Sequence, residues 1–357
     1  MSDLDEQPVA TGSGHRRRAP RWPFLVLALV VVLALALAGT VAVRLLSTPD
    51  YPGAGAGRVV VQVHPGDSAT DIAVTLLARD VVKSSRAFRK AAAADARARG
   101  LQPGYYALRS RMSGQAALAL LLDPAARLRS RVVLPEGITL SRALILIAKG
   151  TEIPLAELTA AAAAPATLGL PPYARNRLEG LLFPASYDVE PGTTATSLLS
   201  TMVARFGEAA LEADLAAGAA RIGRTPYEVL IVASLIEKET AFAADRAKVA
   251  RVVYNRLKLD MPLQFDSTVN YGKAVPTARL SNADLLVESP YNTYLHKGLP
   301  PTPIDAPGLL ALQAALNPAE GDYVFFVTIS KDGRSLFTRS YTEFLAAKAT
   351  SQREGVY

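Results

Sequence analysis

The chain has 357 residues, a formal charge of +7 and an apolar half, so it can bury one large core or two ordinary ones. It has no cysteine, which excludes disulfides, thiolate metal sites and cysteine nucleophiles. The basic excess suits anionic partners such as wall polymers, lipid head groups or nucleic acid, and equally fits a basic tail plus an Arg- and Ala-rich bias.

Residues 1–23 are polar and basic, with Arg16, Arg17, Arg18 and Arg21 just ahead of an apolar run. That run, 24–43, is broken only by the mildly polar Gly39 and Thr40. Its length matches the roughly 20 residues that cross a bilayer as a helix. Trp22 stands at the interface position, and Arg44 alone follows closely. The positive-inside bias therefore predicts a cytoplasmic tail over 1–23, a single transmembrane helix over 24–43, and everything later outside the cell. Ala36-Leu37-Ala38 before Gly39 also fits a signal-peptide cleavage site, but the apolar run continues past it.

Residues 44–57 read as a linker, Pro/Gly-rich from Ser47 to Gly57. The stretch 58–128 predicts a small α+β unit. A strand runs to Val63, and a helix follows that Asp67 or Ser68 can cap. A second helix covers about Ser84–Ala98, a short strand about 105–108, and a third helix about Gly114–Leu122. A second unit, 129–357, opens with strand Val132-Val133-Leu134, a turn at Pro135-Glu136-Gly137 and a helix capped by Thr139. Helix-forming sequence dominates from about Ala195 to Leu257. Asp322–Thr328, a turn at Lys331–Gly333 and Leu336–Thr338 predict a hairpin.

The chemistry concentrates after Thr225-Pro226-Tyr227-Glu228, a capping box with proline at the first helical position. Val229–Ile236 is apolar nearly all round, which predicts a buried helix. It ends in Glu237-Lys238-Glu239-Thr240. A carboxyl group at the end of a buried helix is either the first exposed residue or an acid whose pKa burial has raised. The two Glu residues lie about 200° apart on a helical wheel, so at most one faces a given cleft, and periodicity does not say which. Further on, Gln264 and Asp266 stand in Leu263–Val269, and Tyr291 and Asn292 in the turn-forming Ser289–Tyr294. Rings of this kind stack on sugar faces, and amides bond hydroxyl and acetamido groups.

Taken together these strings resemble the MltG (YceG-like) family of endolytic murein transglycosylases. The matching pieces are Ala233–Thr240, Val253–Leu257, Gln264–Val269, Ser289–Tyr294 and Gly298–Pro301, with Leu134–Gly137, Leu178–Pro184 and Gln102–Tyr106 upstream. The resemblance covers about 24–345 in the right order. It departs at Ala185-Ser186, where the family usually has Asp-Thr, and at Asp305-Ala306, where an Asn-Pro-like pair is usual. The resemblance implies a LysM-like domain over 58–128 and a mixed α/β catalytic domain over 129–357. It implies Glu237 as the catalytic acid–base, with Gln264, Asp266, Tyr291 and Asn292 positioning the sugar, and Glu239 and Glu179 secondary or structural. The implied reaction protonates the glycosidic oxygen between N-acetylmuramic acid and N-acetylglucosamine. It then deprotonates the C6 hydroxyl, leaving a 1,6-anhydro end. No cofactor or metal is expected, nascent glycan strands are the expected substrate, and wall-synthesis enzymes are implied partners.

Two rivals remain at this stage: a muramidase that uses water, and a non-catalytic glycan-binding scaffold. The only histidines are His15, His64 and His296, which make neither a zinc cluster nor a recognisable Ser-His-Asp site. No phosphate-binding Gly-x-x-x-x-Gly-Lys-Ser/Thr loop occurs. Nucleic acid is not an expected partner of a domain placed outside the cell.

Overall fold

The structure, a computed structural model, describes residues 29–40, 48–273, 275, 277 and 280–356. The expected cytoplasmic tail over 1–23, both ends of the expected span 24–43 and the first part of the linker lie outside these residues. Residues 29–40 are helical and exposed throughout. Among the described residues, no helix is long and apolar enough to cross a membrane.

The chain divides into two compact units, Met1–Arg127 and Leu128–Tyr357, and the fold is α+β. In the first, β1 (Ala54–Val63) pairs antiparallel with β2 (Gly104–Met112). Between the strands run α1 (Ala69–Ala78) and α2 (Ser85–Ala94), and α3 (Gly114–Leu122) follows β2. Ser68 caps α1 in a reciprocal box with Asp71. The second helix is shorter than the sequence pattern implied: Asp95 leaves it in an extended conformation and a 3-10 turn follows over Ala96–Gly100. Alternating strand positions Val61, Val63, Tyr106 and Leu108 meet Ile72, Leu76, Phe88 and Leu118 in this unit's own core.

In the second unit, β3 (Ser130–Val133) pairs with β4 (Ser186–Val189), and β5 (Phe325–Thr328) with β6 (Ser335–Thr338). Its helices are α4 (Leu140–Gly150), α5 (Leu155–Ala162), α6 (Ala195–Glu212), α7 (Leu215–Arg221), α8 (Pro226–Glu239), α9 (Arg246–Lys258), α10 (Asp266–Gly272), α11 (Leu309–Leu316) and α12 (Tyr341–Arg353). The Thr225–Glu228 capping box forms as its sequence predicts: the Glu228 N–H donates to Thr225 Oγ1 at 3.2 Å, and the Thr225 N–H to Glu228 Oε2 at 2.8 Å.

α8 is the axis of this unit. It packs against α7, α9, α10 and α11, which is why its apolar residues need no polar face: Val229 through Ile236 are all buried. The one polar side chain in that run, Ser234, accepts the Ile304 N–H at 3.1 Å and donates to Ile231 O at 2.8 Å. One buried hydroxyl thus ties the Pro-rich loop 299–308 to the helix. The same loop presses on the turn at Gly180, whose φ is +85° and where an added Cβ would stand 2.7 Å from Pro303 Cβ. Gly169 has φ +74° but nothing within 4 Å.

Gly180→Ala therefore combines backbone strain with overpacking, and its denaturant midpoint should fall by the equivalent of about 2–4 kcal/mol. Gly169→Ala carries the strain alone and should lose about half as much; equal losses in urea unfolding would contradict this account of the loop.

Candidate active site

The second unit contains a cleft of about 1640 Å³. One wall is the turn and helix start at 135–146. The other comprises the end of α8, the 264–271 segment, Tyr291 and Tyr294, and the C-terminal hairpin with α12. Glu239, Asp266, Glu179, Gln264 and Tyr291 all line it.

The last turn of α8 sends three consecutive side chains three ways, about 100° apart as helix geometry requires. Glu239 turns toward the start of α10, where the Ser267 hydroxyl donates to its Oε1 at 2.6 Å. Lys238 Nζ donates to Gly137 O and lies 3.8 Å from the buried Asp305 carboxylate. Glu237 stands directly behind the 136–138 wall of the cleft, its Cγ 3.6 Å from where a Cβ at Gly137 would sit. Its side chain is 7% exposed; Oε2 accepts the Gly308 N–H at 3.0 Å, and Oε1 lies 3.5 Å from Arg246 Nη2. Glu237 thereby ties the end of α8 to the start of α11 and to α9, and Glu239 ties it to α10 on the cleft wall.

Electrostatics separates the two further. Burial pushes the Glu239 carboxyl up to about 7, helped by the charge of neighbouring Asp266. The Ser267 hydrogen bond and the Arg256 guanidinium act the other way. Burial also raises Glu237 above the ordinary carboxylate range, opposed by the Gly308 N–H and by Arg246 and Lys238. Burial thus favours the protonated form of both acids, and Glu239 is the one raised to about 7.

The residues singled out as sugar contacts divide in the same way. Gln264 lines the cleft in a left-handed conformation, φ +52°, with its N–H donating to Thr293 O at 3.0 Å. Asp266 accepts the Tyr294 hydroxyl at 2.6 Å. The Tyr291 ring meets Tyr271 edge-on at 4.7 Å, and its hydroxyl pairs with Thr302 at 2.9 Å. Asn292 is fully buried away from the lining. Its amide donates to Leu285 O and Val287 O and accepts the Tyr294 N–H, so it shapes the loop from within. Glu179 is held by the Leu140 N–H and the Tyr271 hydroxyl, each at 2.8 Å, and burial raises its pKa.

Sequence reasoning did not single out Ser267, Arg256 or the aromatic cluster of the cleft, Phe325, Tyr341 and Phe344. Ser267 carries no signal of its own in the sequence. Arg256 is a buried cation, which a helical pattern of mixed polarity does not reveal.

Residues 61–350 match the sequence profile of the YceG-like family. A Bacillus subtilis protein named endolytic murein transglycosylase is 32% identical over 307 residues, 81% of this chain and 84% of its own length. Two Streptococcus pneumoniae proteins of the same name are 37% identical over 175 residues, covering 47% of this chain and 31% of theirs. The crystal structure of a putative YceG-like protein from Listeria monocytogenes superposes with a TM-score of 0.56 at 27% identity, covering 81% of this chain and 99% of that one. With most of its length matched in profile, relative and fold, the chain belongs to the YceG-like family.

Proposed function

We propose that this protein is an endolytic murein transglycosylase that cleaves the glycan strands of peptidoglycan, with Glu239 as its acid–base residue. The observation that carries the reading is the placement of the Glu239 carboxyl, bonded to Ser267 on the wall of a cleft of about 1640 Å³, where burial raises it to about 7. The Bacillus and Streptococcus relatives bear the corresponding name.

Protonated Glu239 donates its proton to the glycosidic oxygen as the C1–O bond breaks. The resulting carboxylate then takes the proton of the C6 hydroxyl of the same N-acetylmuramic acid while that oxygen bonds to C1. The products are a 1,6-anhydro end and a new free 4-hydroxyl, with no water consumed. One carboxyl serves both steps because the nucleophile belongs to the substrate, unlike the paired carboxylates of glycoside hydrolases. Glu237, which the resemblance named for this role, is in this reading a positioning residue that fixes α8 to Gly308 and Arg246. Gln264, Asp266 and Tyr291 contact the sugar, while Asn292 and Glu179 hold the cleft's shape.

The apolar run 24–43 serves as a single-pass anchor in the bacterial cytoplasmic membrane, with 1–23 inside and both units outside. Its described part, 29–40, is a helix with every residue exposed, as a helix solvated by lipid would be. The 58–128 unit, a strand–helix–helix–strand arrangement with a trailing helix, is LysM-like and holds glycan, and wall-synthesis enzymes are partners on the outer face. Removal of residues 1–45 should move the protein from the membrane to the soluble fraction; retention in the membrane would contradict the anchor.

Glu239→Gln should lower the release of 1,6-anhydro ends from purified wall glycan by about a hundredfold to ten-thousandfold, the usual worth of general acid–base catalysis. Glu237→Gln should keep most activity and lose stability instead. The opposite ranking, read by mass spectrometry of the products, would return the acid to Glu237. Reducing ends in place of anhydro ends would make the protein a muramidase.

The acid form of Glu239 is full below about 7 and lost above it. kcat/KM should therefore be flat on the acid side and fall about tenfold per pH unit beyond the pKa. Asp266→Asn removes a like charge and should shift that limb to lower pH. Ser267→Ala removes a bond to the ionised form and should shift it higher. Shifts of the same sign in both variants would contradict the assignment.

A further inference from the structure

Three aromatic side chains that the reaction does not use line the cleft. Phe325 lies on β5, and Tyr341 and Phe344 lie on the first turn of α12. Their ring centroids form a triangle: Phe325 to Tyr341 5.3 Å, Phe325 to Phe344 5.4 Å and Tyr341 to Phe344 6.0 Å. Phe344 stacks on both neighbours, at 27° to Phe325 and 24° to Tyr341, while Phe325 and Tyr341 are tilted 49° to each other, so the three rings form one compact cluster. Lys348 lies over the Phe344 ring, its Nζ 5.9 Å from the centroid, and also lines the cleft.

A cluster that served only to pin α12 to the hairpin would bury its rings. Tyr341 is instead 58% exposed, and all three rings line the cleft that Glu239 lines. The connection to the acid is short. Arg256 donates to Val324 O, its guanidinium stands 5.5 Å from the Phe325 centroid, and its charge acts on the Glu239 carboxyl. Arg256 thus touches the aromatic cluster at Phe325 and acts through its charge on the acid.

We propose that Phe325, Tyr341 and Phe344 form a sugar-binding subsite that holds the glycan strand flanking the bond cleaved at Glu239. The axial C–H face of an N-acetylhexosamine is apolar and flat, and it matches an exposed ring in a cleft whose polar groups take the hydroxyl edge. The inference rests on the glycan-cleaving reading above.

The test measures binding of end-labelled, peptide-free glycan strands to the full chain carrying Glu239→Gln, alone and combined with Tyr341→Ala or Tyr341→Phe. Tyr341 is exposed, so its replacement leaves the core intact, and Phe344→Leu supplies a second variant that keeps apolar packing while removing a ring. Tyr341→Ala and Phe344→Leu should each raise Kd about five- to tenfold, as the loss of an aromatic anchor does elsewhere. Tyr341→Phe, which keeps the ring, should bind as the parent does. Unchanged Kd in both ring-deleted variants, or a loss in Tyr341→Phe equal to that in Tyr341→Ala, would overturn the subsite. Failure of the underlying reading shows separately, as a wild-type chain that releases no anhydro ends from the same strands.

Discussion

The structure depends on the complete enclosure of α8. A helix apolar on every side is stable only when neighbours cover every side, and α7, α9, α10 and α11 do so. That enclosure has a chemical consequence at the helix's end. The apolar run stops at Ile236, and of the three charged residues that follow Lys238 is exposed while Glu237 and Glu239 stay largely enclosed by protein. Desolvation therefore reaches the carboxyl groups, and it is the largest influence on both Glu237 and Glu239. The packing that stabilises the unit thus also makes an acid that is half-protonated near neutral pH.

The loop 299–308 is the second constraint. Ser234 holds it from below, Gly180 admits it at close range, and Gly308 donates to Glu237. At Gly308 an added Cβ would fall 1.8 Å from Glu136 Oε1, so the exposed Glu136 side chain would have to swing aside. Asp305 sits in the middle of the loop with neither carboxylate oxygen hydrogen-bonded. Lys238 is 3.8 Å away and also bonded to Gly137 O, so one ammonium joins the 135–138 turn to the loop. Burial raises Asp305 well above the usual range, with the charges of Glu237 and Glu179 adding to it. The cause is the cost of burying an ion without a full set of partners.

Much of this was legible in the sequence because it is written locally. Thr225-Pro226-x-Glu228 declares a helix start, and the apolar octet after it declares burial. The 322–338 hairpin and the cap at Ser68 follow from turn and cap chemistry of the same short range. What was not legible depends on neighbours distant in sequence. Glu237 and Glu239 are equivalent on a helical wheel; only the packing of Gly308 and Arg246 on one side and Ser267 on the other separates them. Asn292 looks like a sugar-binding amide beside tyrosines, yet its three backbone partners at 285, 287 and 294 consume it. The aromatic cluster of the cleft is assembled from β5 and α12, and no single segment carries its pattern.

The central claim is that the cleft carboxyl, Glu239, stays protonated close to neutrality. Its most direct test is a carboxyl-carbon NMR titration of the full chain labelled at glutamate side chains, with Glu239→Gln identifying the resonance. The account predicts a midpoint at about 7. A midpoint in the ordinary glutamate range near ~4.3 would contradict it.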